Sequence, residues 1–157
     1  MSFLRYLMLL ALIVWLGGLI FFAFVLAPAA FSVLPTRHMA GTVVGRSLIT
    51  LHWMGLFSGL IFLACSILYS RLTKGTPRLF AARHVLICLM LALTLVSQFA
   101  IIPRMNALRA SIGEIDSVPL NDPARVQFDG LHVWSTRVEG GVFLFGLVVV
   151  YLTAASF

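Results

Sequence analysis

Few side chains in this sequence can do chemistry, and most of them recur at helical spacing. At 100° per residue, Arg125, Phe128, His132, Ser135 and Glu139 fall within about 80° of one another, with Asp129 and Thr136 beside them. Thr94, Ser97, Gln98 and Arg109 share one side of an earlier segment, and His52 interrupts an apolar run. In a ligand-binding reading, His132 and Glu139 form a protonatable core. Ser135, Gln98 and His52 add hydrogen bonds, and Arg109 with Arg125 attracts anionic groups at the mouth. An ionisable group inside a membrane span costs about 2.5–3.5 kcal/mol on insertion scales, so these residues should face a bundle interior and find partners there. The plainer alternative is packing alone, with Glu139 and Arg137 snorkelling or pairing with Arg104 or Arg109, and His132 bonding a backbone carbonyl.

Other ligand sets stay open. His52 and His132 lie on different segments at similar inferred depth, a geometry that bis-histidine haem ligation or a transition metal could use. Cys65 and Cys88, each a few residues from one turn, could face one another as soft metal ligands, although a buried cysteine is more often a small hydrophobe. His38 is expected at an interface, and His84, beside Arg83, in solvent. The sequence contains no nucleophile–base triad, phosphate loop or HExxH helix, so no motif supports enzyme chemistry. Outside the haem or metal alternative, no cofactor is expected.

The composition says what kind of scaffold must position these groups. Of 157 residues, 61% are apolar and only 10% charged, and the mean hydropathy is +1.07. A soluble domain carries about 45–50% apolar and about 25% charged residues, so this chain has too little polar surface to face water. Its net charge of +6 is spread thinly and forms no long basic run, which excludes nucleic-acid binding. The basic residues read instead as topology and lipid contact.

The expected fold is all-α, an integral membrane four-helix bundle whose helices protrude on one side of the bilayer. A single domain over 1–157 carries spans at about 4–34, 38–71, 80–112 and 123–155. Pro28 should kink the first helix, Pro35 ends it, and Thr36 can cap the second. A turn containing Lys74, Gly75 and Pro77 occupies 72–79. Helix 3 meets Pro103 and continues as a polar extension, and Asn121-Asp122-Pro123 starts helix 4. The apolar run from Tyr6 to Leu26 exceeds a signal core of about 7–15 residues and reads as an uncleaved anchor. Both termini lie beside the 72–79 turn, where Arg5, Arg71, Lys74, Arg78 and Arg83 gather without an acid. Concentrated basic charge in a short turn points to cytoplasmic termini in a multi-pass protein of the bacterial inner membrane.

Gly41, Gly45, His52, Gly55, Gly59 and Ser66 form one stripe of helix 2, including a GxxxG at Gly55–Gly59. Helix 1 offers a stripe of Gly17, Phe21, Phe24, Pro28 and Phe31 to match it. Helix packing within one chain is the expected use, and a homo-oligomer or partner-subunit contact is the alternative.

Three segments carry a family resemblance: Trp15-Leu16-Gly17-Gly18 with Phe21-Phe22 and Pro28, Pro103-Arg104-Met105-Asn106-Ala107-Leu108-Arg109, and Phe128-x-x-Leu131-His132-x-x-Ser135. They resemble the membrane proteins similar to transmembrane protein 205, a family also described as a domain of unknown function. The resemblance covers nearly the whole chain. It implies a four-span helical membrane protein, hints at transport or metal handling, and brings no catalytic residues. A looser architectural similarity links the chain to small four-helix copper-resistance and haem-binding membrane proteins, without their dense His or Met ligand sets. The leading expectation is a membrane protein whose polar pocket binds or helps to transport a small polar ligand or ion. A haem- or metal-binding protein and a structural or accessory subunit are the alternatives.

Overall fold

In lipid, a continuous apolar segment can satisfy all its backbone N–H and C=O groups only as a helix or within a closed barrel. The structure, a computed structural model, describes residues 2–75 and 81–156, and its long elements are helices: α1 (Ser2–Val33), α2 (Arg37–Lys74), α3 (Ala82–Ile112) and α4 (Pro123–Ala154). All four are long and apolar enough to cross a membrane, and no strand occurs among the described residues. At 1.5 Å per residue each runs about 46 Å or more, beyond a hydrocarbon core of about 30 Å. Large apolar side chains such as Phe3, Ile13, Phe57, Leu60, Leu144 and Tyr151 point outwards, as lipid contact requires. The predicted turn lies outside the described residues over 76–79, as do Arg78 and the predicted helix start at Phe80.

Local chemistry sets the helix ends. The Thr36 hydroxyl accepts from the Met39 N–H at 3.2 Å, and the Asp122 carboxylate accepts from the Ala124 and Arg125 N–H groups at 2.8 and 3.3 Å, ahead of Pro123 in the first turn. Gly75 closes α2 with φ 71°, a left-handed conformation that a β-carbon disfavours.

The internal prolines are accommodated by a change of helical pitch. Pro28 has no N–H, and its ring crowds the carbonyl four residues back. The helix absorbs this as a π turn over Phe22–Leu26, in which the Ala27 N–H bonds the Phe22 carbonyl five residues back. The same device precedes Pro103: Ser97–Ile101 form a π turn, and the Ile102 N–H bonds Ser97. Both helices run on through their prolines.

Consecutive helices pack antiparallel around a square, with α4 returning to α1. In the half nearer the termini, Met8, Leu12, Trp15, Leu16 and Leu19 of α1 are buried against α2 and α4. Trp15 occupies the recess left by Gly55 and Gly59, where a β-carbon would collide with its indole. Leu91 of α3 also presses on Gly59, and Leu16 fills the space above Gly146 of α4. The helix 1 stripe expected to match these glycines does not meet them: Gly17 faces open space, and Phe21, Phe24 and Phe31 are exposed. The recess accepts a large ring rather than a second small-residue stripe.

Gly55→Ala should destabilise the bundle by about 1–3 kcal/mol through overpacking against Trp15. Gly17→Ala, with free space around it, should be neutral or stabilising by up to about 1 kcal/mol. Melting midpoints in detergent compare the two.

Candidate functional site

Three helices meet near their midpoints through one imidazole. His52 of α2 is 2% exposed. Its Nε2 lies 2.7 Å from Glu139 Oε1 of α4, and its Nδ1 lies 2.8 Å from Gln98 Oε1 of α3. An imidazolium would donate to both oxygens. A neutral ring donates from Nε2 to Glu139, with the Gln98 amide turned to donate to Nδ1. Gln98 stands on the π turn before Pro103, so the widened backbone lies where a polar side chain must reach the bundle interior. The pair also joins α2 to α4, diagonal helices with no other substantial contact among the described residues.

Glu139 faces a second environment as well, since its side chain is 16% exposed and lines a cavity of about 620 Å³. This cavity fills the half of the bundle nearer the 1–2 and 3–4 connections. Its wall is mostly apolar, with Leu19, Leu48, Met105 and Phe143 among the lining residues. The polar part includes Glu139, Thr136, Ser135, His132, Asp129 and Arg109.

Arg109 is the unusual member. Its guanidinium lies along Gly41 and Gly45, where a β-carbon would come within 3.4 and 3.2 Å of it. Its other side faces the Phe128 ring, 5.4 Å from the centroid. It donates to Asn106 Oδ1 at 3.3 Å, while Nε is buried without a partner. Among the described residues no carboxylate lies within ion-pair distance of it. Arg37 does have an acid, Asp116, at 3.7 Å.

Of the seven residues expected at a site, Glu139, Ser135, His132 and Arg109 line the cavity, and His52 with Gln98 backs Glu139. Arg125 stands apart. Its guanidinium donates to the Ile115 and Val118 carbonyls at 3.0 and 2.5 Å and ties the 3–4 connection to α4. A haem or metal ligand role for His52 with His132 would require His52 to give up one of its two ring-nitrogen contacts, to Gln98 or to Glu139. Among the described residues no group of three or more His, Cys, Asp or Glu side chains is arranged to hold a metal ion. Cys65 is buried and Cys88 exposed.

The expectation that His84 is solvated is overturned. It is 3% exposed, and its Nε2 lies 2.7 Å from the Ser66 hydroxyl. His84 is in helical register with Ile87, Met90 and Thr94, all buried, and that spacing was the available signal. His38 bonds the Gly113 carbonyl at 2.8 Å and joins the start of α2 to the end of α3.

The family described as a domain of unknown function (DUF4149) matches residues 10–114, more than half of the chain. No curated protein and no solved structure matches.

His52→Ala should cost about 2–4 kcal/mol, less than for a fully buried pair because Glu139 keeps some exposure. In a double-mutant cycle with Glu139→Gln, the two losses should fall short of additive by at least about 1 kcal/mol. Additive losses in denaturant-induced unfolding would mean that the pair is not coupled.

Proposed function

We propose a function for this chain, which belongs to the DUF4149 family: it is a multi-pass membrane protein that binds, or helps to move, a small ligand bearing a negatively charged group. The observation that carries this reading is Arg109, a cation held on a glycine cradle at the cavity wall with, among the described residues, no carboxylate within ion-pair distance. An arginine in a low-dielectric setting is unfavourable without a counter-charge, and an incoming oxyanion supplies one through charge-assisted hydrogen bonds. Ser135 and His132 add polar groups to the lining from α4. Glu139, already engaged by His52, is less repulsive to an anion than a free carboxylate would be.

The finer placement is part of the same proposal. The helices rise above the bilayer at the cavity end, and the termini face the cytoplasm of a bacterial cell, because Arg71, Lys74 and Arg78 cluster without an acid in one short stretch. Kinship to the transmembrane protein 205-like proteins rests on the Trp15–Pro28, Pro103–Arg109 and Phe128–Ser135 segments, the last of which lies beyond the matched residues.

Benzoate should stabilise the purified protein thermally in a saturable way. Arg109→Gln should weaken that effect at least about tenfold, whereas Arg104→Gln, exposed and outside the cavity lining, should leave it unchanged. Equal responses of the two variants would remove the basis of this reading.

A further inference from the structure

The cavity is not enclosed evenly by the four helices. Up to Phe21, α1 packs against both α2 and α4, and Leu16 meets Gly146. Beyond the π turn, α1 continues against α2 and has no comparable contact with α4 among the described residues. The two helices therefore diverge, and the cavity opens sideways between them. Its α1 edge carries Ile20, Phe24 and Phe31, which are 44%, 71% and 49% exposed. The α4 edge carries Thr136 and Gly140. A β-carbon at Gly140 would meet nothing within 4 Å. A site for a fully hydrated ion needs no such apolar side opening. Arg109 supplies positive charge in the part of this cleft nearer the connections, and Asp129 of α4, which lines the same cavity, disfavours a second negative charge.

We infer that the cleft between α1 and α4 receives, from the membrane side, an amphiphile with a singly charged oxyanionic head and a hydrocarbon chain. The head, a carboxylate or a phosphodiester, pairs with Arg109, and the chain lies between the phenyl groups of α1 and the Thr136–Gly140 edge of α4. This rests on the anion-binding reading of Arg109 and adds the class of ligand and its route. Charge complementarity at one end and an apolar, laterally open wall at the other favour this occupant over an apolar helix, which would bring no anion to Arg109.

Acetate, octanoate and myristate, titrated against the full-length protein in one non-ionic detergent, separate the two claims. Apparent affinity should rise at least about tenfold from acetate to octanoate, because each buried methylene adds favourable transfer energy. Micelle partitioning only makes that threshold harder to reach. Gly140→Leu, which fills the cleft without touching Arg109, should abolish the chain-length gain and spare acetate, while Gly140→Ala should retain the gain. In phosphatidylcholine nanodiscs, competition by added phosphatidylglycerol would identify a lipid headgroup as the source. Octanoate binding indifferent to that lipid would identify a free amphiphile, and either result supports the inference. Arg109-dependent binding with no chain-length gain would overturn the inference and leave the anion site standing, whereas binding indifferent to Arg109→Gln would overturn both. A dimer dissociated by Gly140→Leu would assign the cleft to a second copy of the chain and overturn the inference as well.

Discussion

A carboxylate halfway along an apolar helix must be met by a donor, and Glu139 is met by His52 at 2.7 Å. That contact organises much of the remaining architecture. It bridges the diagonal of the bundle, where the two backbones do not approach closely, and it brings Gln98 to the other ring nitrogen. Three of the four helices then have a fixed azimuth, because rotating α2, α3 or α4 by one residue, about 100°, would withdraw its member of the triad. Buried polar contacts of this kind stabilise little in net terms, but breaking one strands the other partner. Their contribution is register, and here the register also turns Glu139 into the inner polar wall of a cavity.

Packing changes character along the bundle axis. Towards the termini, large side chains enter recesses made by small ones: Trp15 over Gly55 and Gly59, Leu91 over Gly59, Leu16 over Gly146. Where lipid gives little drive for helix association, such close fits supply dispersion energy. Towards the connections, the same stripe of α2 continues through Gly45 and Gly41, and what enters there is the guanidinium of Arg109. One small-residue face thus holds an aromatic ring at one end and a cation at the other. Between them the two π turns adjust α1 and α3, each just ahead of a proline, and past the first of these α1 leaves α4.

Much of this was legible in the residues. Apolar run lengths, Thr36, Asp122-Pro123 and the glycine after Lys74 locate the helices, because caps and hydropathy are local properties. The shared face of Phe128, His132, Ser135 and Glu139 is also local, since it follows from the 100° step. What the sequence does not encode locally is which neighbour each face meets. His52 and Glu139 are 87 residues apart, and nothing in either segment says that they touch. Arg125 shares the face of His132 and Glu139 by periodicity and is expected to attract anions beside Arg109, but the carbonyls of the nearby 3–4 connection take its donors. His84 was misjudged from its neighbour Arg83, although its spacing to Ile87 and Met90 marked an inward face. The π turns fall outside a fixed-step reading altogether, since each inserts a residue into the helical phase.

The contrast between the two interior charges carries the functional argument. Glu139 is engaged inside the chain by a partner that is itself buried, whereas among the described residues Arg109 has an amide, an aromatic face and two glycines against it and no carboxylate within ion-pair distance. Arginine suits that position because its flat, weakly hydrated guanidinium can lie between a glycine stripe and a phenyl ring, where a compact lysine ammonium would remain more strongly hydrated. A planar fork so held retains donors for a planar oxyanion while its stem and faces are fixed, so little entropy is lost when one binds. The apolar floor of Leu19, Leu48 and Phe143 offers a head group nothing. Polarity therefore changes along the cavity itself, and a bound molecule with one charged end has a single favourable orientation in it.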